Sequence, residues 1–438
     1  MCKIVNSRAA TDTIPGIMTL KEFIQEHEND DTARLMLSRN RWPDIDIDKA
    51  VTIIECRKKL RTKLPEWYEI PEIIYPDRLS SEQSSSSATA KYKASVASRI
   101  ANGGRIADLT GGLGADSLAF SRVASQVLYN EMEPGRAEAA RHNFPLLGAE
   151  NISISSFCVE EAGKSEDAAN FWETLKRFSP DLVYMDPARR SATGSKVFLL
   201  EDCSPDVLTL IPDIFGICGN LLLKLSPMAD ISMLLKRLQE HGAGTKELHI
   251  VSAGGECKEL LLWCTPSATD DTALIINENG NILRTSIATE SAAVPQFLQD
   301  AAQLNSMQFL FEPGKALAKA GLFNAICTMQ DNADDGTMLL KAGRSTHLYF
   351  TDSQNNASDF GKTFKVIGLA PFCKQGIRDF SAKYPRAEVS ARNLPMTSEE
   401  LRRKLKVQSG GDIHIFGLHI DFCREASANY LVAATRQK

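Results

Sequence analysis

Seven short apolar runs, most of them separated by helix-compatible stretches, constrain this chain more than any other feature. They are Arg105 to Leu109, Gln126 to Tyr129, Ile152 to Phe157, Asp181 to Met185, Leu221 to Leu225, Glu247 to Val251 and Glu259 to Cys264. Strand and helix in alternation predict an α/β fold with a parallel sheet covered on both faces. Only Ser252 to Lys258 separates the last two runs, too short for a crossover helix, so they are expected to pair as an antiparallel hairpin at one edge.

The strand ends carry the chemistry. The run Arg105-Ile-Ala-Asp-Leu-Thr-Gly-Gly-Leu-Gly-Ala-Asp116 takes an apolar strand into glycines and then into a helix. Gly112 and Gly114 let the backbone turn sharply and approach a ligand, and Asp108 adds a carboxylate at the strand end, where amino groups would be welcome. By itself such a loop reads equally as a structural turn. A dinucleotide fingerprint would continue to a third glycine, but Ala115-Asp116-Ser117 follows here. Asp116 in that turn is a poor neighbour for a pyrophosphate and a tolerable one for a zwitterionic or sulfonium ligand.

The second strand ends in Glu131, suited to both hydroxyls of a ribose, with Glu133 close behind as a competing or merely solvated acid. The fourth delivers Asp186-Pro187-Ala188-Arg189-Arg190 to the same end of the sheet, where Asp-Pro can serve a substrate or simply start a turn. Arg189 and Arg190 can hold a phosphate or carboxylate, or remain surface cations. Cys257 is a conceivable nucleophile without a paired His motif.

As a set, these spacings resemble the class I S-adenosylmethionine-dependent methyltransferases over roughly Ala88 to Thr265. The resemblance implies a Rossmann-like sheet, S-adenosyl-L-methionine as cofactor, and a cofactor-binding set of Asp108, Thr110, Gly112, Gly114, Asp116, Glu131, Glu160 and Asp186. The glycine loop would hold the methionine part, Glu131 the ribose, and the neighbourhood of Val159 and Glu160 the adenine. Asp186, Pro187 and Arg189 are the implied catalytic residues, serving in-line attack on a sulfonium methyl, for which no metal is needed. Amine-methylating relatives often carry Asp/Asn-Pro-Pro-aromatic after the fourth strand. Here the aromatic that would stack on a flipped base is missing.

The C-terminal stretches Val389-Ser-Ala-Arg-Asn-Leu-Pro-Met, Glu400-Leu-Arg-Arg-Lys-Leu-Lys and Gly410-Gly-Asp-Ile-His-Ile-Phe resemble the THUMP-like domain attached to a bacterial methyltransferase family. About Asp270 to Asp359 resembles the ferredoxin-like domain of the same architecture. The implied partner is structured RNA, tRNA or rRNA. Lys374, Arg378, Arg392, Arg402, Arg403, Lys404 and Lys406 are the candidate phosphate contacts, each with a solvated helix surface as its alternative. Charge agrees: residues 361–438 hold 14 Lys and Arg against 7 Asp and Glu, a local net of +7 within a chain of net −5.

The remaining expectations concern organisation. A helical pattern from Thr19 to about Lys63 precedes Ser80 to Ser87, six serines in eight residues that look like a low-complexity linker. The expected divisions are a helical N-terminal segment and linker at 1–87, a Rossmann-like domain at 88–267, and smaller α+β domains at 268–360 and 361–438. Apolar runs too short to span a bilayer and an N-terminus without a signal-like segment make the cytoplasm the expected location, with no membrane partner. Ten scattered cysteines without CxxC or Cys/His clusters point to reduced thiols and no metal. Two rivals stand beside the enzyme: a non-catalytic RNA-binding or assembly protein that keeps the cofactor fold, and a nucleotide-dependent oxidoreductase.

Overall fold

Among the described residues, six α-helices precede the first strand: α1 (Leu20–His27), α2 (Thr32–Leu37), α3 (Ile47–Lys63), α4 (Pro65–Tyr68), α5 (Arg78–Gln83) and α6 (Ser87–Ala101). Each of the first three starts on an oxygen-bearing cap, Thr19, Asp31 and Asp46, that accepts from an otherwise unpaired backbone N–H. The computed structural model describes residues 18–161, 163–189, 200–267, 271–328, 339–353 and 359–437. It divides into two units, 1–186 with 213–220, and 187–212 with 221–438.

In the first unit, β1 (Arg105–Asp108), β2 (Gln126–Asn130), β3 (Ile152–Ser155) and β4 (Leu182–Met185) form parallel pairs in the order β4-β1-β2-β3. Between them run α7 (Ala115–Ser121), α8 (Pro134–Leu146) and α9 (Glu166–Phe178). Every residue of β4 is buried, as is β1 beyond Arg105, which is why these strands read as unbroken apolar runs.

The N-terminal helices belong to the same core. Leu60, Leu64 and Trp67 from α3 and α4 pack in one cluster with Leu113, Leu118, Tyr129 and Phe144. The Asn143 side chain exchanges two hydrogen bonds with the backbone of Ile74, at 2.9 and 2.8 Å. The serine run is no linker. Asp77 caps α5 by accepting from Ser80 N, Ser86 caps α6, and Ser80, Ser81 and Ser85 are buried. Composition misleads here because a small hydroxyl can be packed and hydrogen-bonded as easily as solvated.

In the second unit, β5 (Ala188–Arg189) pairs with β6 (Cys203–Ser204). Past α10 (Val207–Phe215), β7 (Leu221–Leu225) and α11 (Ile231–Glu240) lead to the expected hairpin, β8 (Gly244–Ala253) and β9 (Glu256–Thr265). Gly254 and Gly255, at φ +63° and +79°, supply the left-handed pair that a two-residue turn requires. That hairpin is not the edge: β10 (Ala273–Glu278) lies parallel to β8, and β11 (Asn281–Ser286) returns beyond it through the Asn279-Gly280 turn.

After α12 (Ile287–Ala292) and α13 (Ala301–Ser306), a separate sheet begins with β12 (Phe309–Pro313). The sequence predicts a helix from Val294, but Pro295 keeps the chain extended and α13 starts only after its cap, Asp300. With α14 (Lys315–Ala320) and α15 (Ala325–Thr328) in between, β12 is joined by β13 (Leu340–Lys341), β14 (Tyr349–Thr351), β15 (Gly361–Pro371), β16 (Glu388–Arg392), β17 (Ile413–Ile420) and β18 (Ala428–Arg436). Their order is β13-β14-β12-β15-β18-β17-β16. The change of sheet thus falls between β11 and β12 rather than at 267/268 or 360/361, because β10 pairs with β8 and β12 with β15. Helices α16 (Lys374–Lys383) and α17 (Ser398–Leu405) bury Phe380, Leu401 and Leu405 against Ile415 and Leu431.

Candidate functional site

The glycine corner between β1 and α7 is assembled from both sides by aromatic rings. A Cβ on Gly111 would lie 2.1 Å from the Tyr129 ring, and one on Gly114 would lie 2.7 Å from the Phe144 ring. Gly114 adds φ +97°, a conformation that side chains resist. Gly112 differs: a Cβ there would meet nothing nearer than Thr110 O at 3.9 Å, so its flank is open. Tyr129 fixes the corner further by donating to Gly112 O at 2.6 Å.

The strand-end acids converge on this corner. Glu131, 6% exposed, accepts from Gly112 N at 2.8 Å through Oε2 and from Glu133 N at 2.9 Å through Oε1. A carboxylate offers about four acceptor positions, so two donors leave room for two more. Glu133 is exposed and instead caps α8, accepting from Arg136 N.

Asp108 lies deeper, 1% exposed, taking Thr110 N at 3.1 Å and Ser117 Oγ at 2.6 Å. Burial pushes its acid up to about 7, with Asp116 and Asp186 adding to the rise and the Ser117 and Thr110 donors opposing it. A cation placed near the loop would draw it back toward the ionised form. Thr110 reaches across the site: its Oγ1 accepts from Asp186 N at 2.6 Å, locking the segment after β4 to the glycine corner. Asp186 itself is half-buried, and Pro187 is buried.

The other expected site residues take the following places. Asp116 was expected against the cofactor, but its carboxylate is turned inward, 3.0 Å from Lys93 Nζ and accepting from Ser85 and Tyr184. Glu160 accepts from Ser165 Oγ and lends its carbonyl to Trp172 Nε1. Arg189 is on the two-residue strand β5, and Arg190 lies outside the described residues. Burial pushes the Cys257 thiol up to about 11, which favours the protonated form over the thiolate that a nucleophile needs.

Of the basic residues, Lys374, Arg378, Arg403, Lys404 and Lys406 are exposed on or next to α16 and α17. Arg392 is bound to Glu312 at 2.7 Å, and Arg402 grips Glu399 with two nitrogens. Lys404 lies 5.2 Å from the Phe372 ring centroid.

Sequence reasoning missed Gly111, Tyr129, Lys93, Ser85 and Tyr184. Lys93 left one legible trace: it sits on the same α6 stripe as the buried Ala90, Ala94, Ala97 and Ala101, where a lysine has no place without a buried partner.

Residues 361–435 match the family model described as THUMP domain-like. The chain is similar, at 30% identity and a TM-score of 0.78, to a crystal structure from Porphyromonas gingivalis W83 described as a candidate methyltransferase; the match covers 96% of this chain and 98% of that one. A structure from Pyrococcus horikoshii described as a candidate RNA methyltransferase aligns at 15% identity and a TM-score of 0.29, over 42% of this chain and 84% of that one. A methyltransferase structure from Aquifex aeolicus, described as SAM dependent, aligns at 10% identity and a TM-score of 0.31, over 44% and 100%. No curated protein matches the sequence. Among the described residues, no helix is long and apolar enough to cross a membrane.

Proposed function

The chain belongs to the class I methyltransferases that carry a C-terminal THUMP-like domain, and from that premise we propose that it transfers the methyl group of S-adenosylmethionine to structured RNA, tRNA or rRNA, in the cytoplasm. The observation that carries this reading is Glu131, a buried carboxylate held on the N–H of Gly112 at the open flank of the glycine corner.

The residues fit the cofactor. Glu131 keeps acceptor capacity for the two ribose hydroxyls, Gly112 leaves room for the ligand, and Asp108 supplies negative charge at the base of the loop. When bound, the cofactor supplies a methyl already activated by its sulfonium. The protein's task is then orientation of donor and acceptor, the source of most of the rate. Asp186, its backbone held by Thr110, accepts hydrogen bonds from the incoming nucleophile and fixes its approach. Lys374, Arg378 and the cations of α17 gather the RNA backbone, which gives affinity without reading sequence.

The test is transfer of labelled methyl from S-adenosylmethionine to fractionated RNA from a strain lacking the protein. Wild type and Cys257→Ala should label one fraction. Asp186→Ala should lose about 10²–10⁴-fold in rate, the range for a positioned proton-accepting group. Cofactor binding with no labelling of any RNA would replace the enzyme by a non-catalytic RNA-binding protein, and equal activity in Asp186→Ala would remove that residue from the chemistry.

A further inference from the structure

Next to the glycine corner lies a buried ion pair whose residues the reading above leaves without a task. Lys93, on α6, has no exposed surface, and its Nζ lies 3.0 Å from Oδ1 of Asp116 in the first turn of α7. Ser85 relays between them, accepting from Nζ at 2.6 Å and donating to Oδ2 of Asp116 at 2.9 Å. Tyr184, the penultimate residue of β4, donates to the same oxygen at 2.8 Å. Ser117, the next residue of α7, donates to Asp108 at 2.6 Å. One helical turn is therefore held by the ion pair on one side and by the strand-end acid of the cofactor loop on the other.

Stability alone does not explain such a pair. Desolvating two charges costs several kcal/mol each, and apolar residues of like volume commonly serve a core at least as well. Charge balance around Asp108 does explain it. The ionisable groups acting on that acid are Asp116 from α7, Asp186 after β4 and Tyr129 from β2, with Tyr184 and Lys93 beyond Asp116 and with Glu131 and Arg136 beyond Tyr129. Lys93 is the cation paired with Asp116, as Arg136 is the one beside Glu131. By offsetting Asp116, Lys93 eases the repulsion that Asp116 exerts on Asp108.

We propose that Lys93 and Asp116 form a positioning pair that sets the charge at the base of the cofactor loop, and through it the affinity for a cationic nucleoside. The inference rests on the reading that this corner holds S-adenosylmethionine. Lys93→Met removes the positive charge beside Asp116, which disfavours ionisation of Asp108. Asp116→Asn removes a negative charge that acts on Asp108, which favours it. The two variants delete the same ion pair and are expected to act in opposite directions.

Calorimetric titration of S-adenosylmethionine into the full chain, repeated from about pH 5.5 to 8.5, reads this out as the midpoint of the affinity-against-pH curve. The ligand's own titration is common to every variant. Lys93→Met should raise the midpoint by about one unit, an approximately fivefold loss of affinity at pH 7 for a midpoint that starts near 7. Asp116→Asn should lower it. Midpoints that move together or stay put overturn the proposal, since a packing contact is lost equally from either side. Should Lys93→Met fail to fold, the near-isosteric Asp116→Asn decides alone: a lowered midpoint supports the pair, and an unchanged or raised one sinks it. Failure of the wild type to bind at any pH removes the cofactor reading and this inference with it. Binding by the wild type with unmoved variants removes only the inference.

Discussion

The glycine corner and the α16–α17 surface spend their charges in opposite ways. Around the corner, Asp108, Asp116, Glu131 and Lys93 are all buried and each has a named donor or acceptor within about 3 Å. On α16 and α17, Lys374, Arg378, Arg403 and Lys404 are exposed, and Arg402 pairs with the exposed Glu399. Buried charges in a low dielectric act strongly over short distances and fix one geometry, whereas exposed ones act weakly and are screened within roughly 10 Å. The first arrangement suits a small ligand whose atoms must be placed; the second suits a long polyanion that need only be held.

The contrast is broken most severely by Gly111→Ala. The added methyl meets the ring of Tyr129, which is fully buried and also donates to Gly112 O, so it cannot step aside. Overpacking typically costs about 1–3 kcal/mol, and a clash this close belongs at the upper end. A lowered Tm with complete loss of S-adenosylmethionine binding is expected, and RNA binding by the folded fraction should survive. An unchanged Tm would show that the ring and loop are not packed as described.

Much of the parallel sheet and the β8–β9 hairpin were legible because buried strands and tight connections impose short, local patterns: apolar runs of four or five residues, and a gap from Ser252 to Lys258 too short for a crossover helix. The position of Glu131 was legible for the same reason, as the first acid after such a run. The pairing of β10 with β8 and of β12 with β15 was not, because strand partners distant in sequence leave no local mark. Asp116 was misplaced on a related ground. Its carboxylate is claimed by Lys93 and Ser85, 23 and 31 residues away, and nothing beside Asp116 in the chain announces them.

An intermediate effect is expected at Asp108, where placement and charge can be separated. Its acid is raised from 3.8 to about 7, so folding takes up a proton between those values. That contribution to stability is complete below about pH 4 and is lost as pH rises through about 7. Asp108→Asn keeps an acceptor for Thr110 N and has no charge to desolvate. Its Tm should therefore match or exceed the wild type's at pH 8 and gain relative to it between pH 5 and 8, while S-adenosylmethionine affinity falls and no longer depends on Asp108 ionisation. A wild-type stability that rises across this window would mean that Asp108 is not the buried acid described.

The smallest effect belongs to the exposed surface. Replacing Lys374 and Arg378 together by alanine removes two cations from one face of α16 without touching Phe380 or the core beneath it. If each neutralises one phosphate of single-stranded or loop RNA, the slope of log K against log salt should flatten by about 1.4, and affinity at moderate salt should fall by roughly tenfold, equally for RNAs of different sequence. Arg402→Ala should change far less, because Glu399 already occupies that guanidinium and an ion pair this exposed contributes little. S-adenosylmethionine binding should be indifferent to all three changes. A double variant that leaves the salt slope intact would move the RNA-gathering surface away from α16, and one that weakens cofactor binding as well would show that the two regions are not as independent as their contrasting electrostatics require.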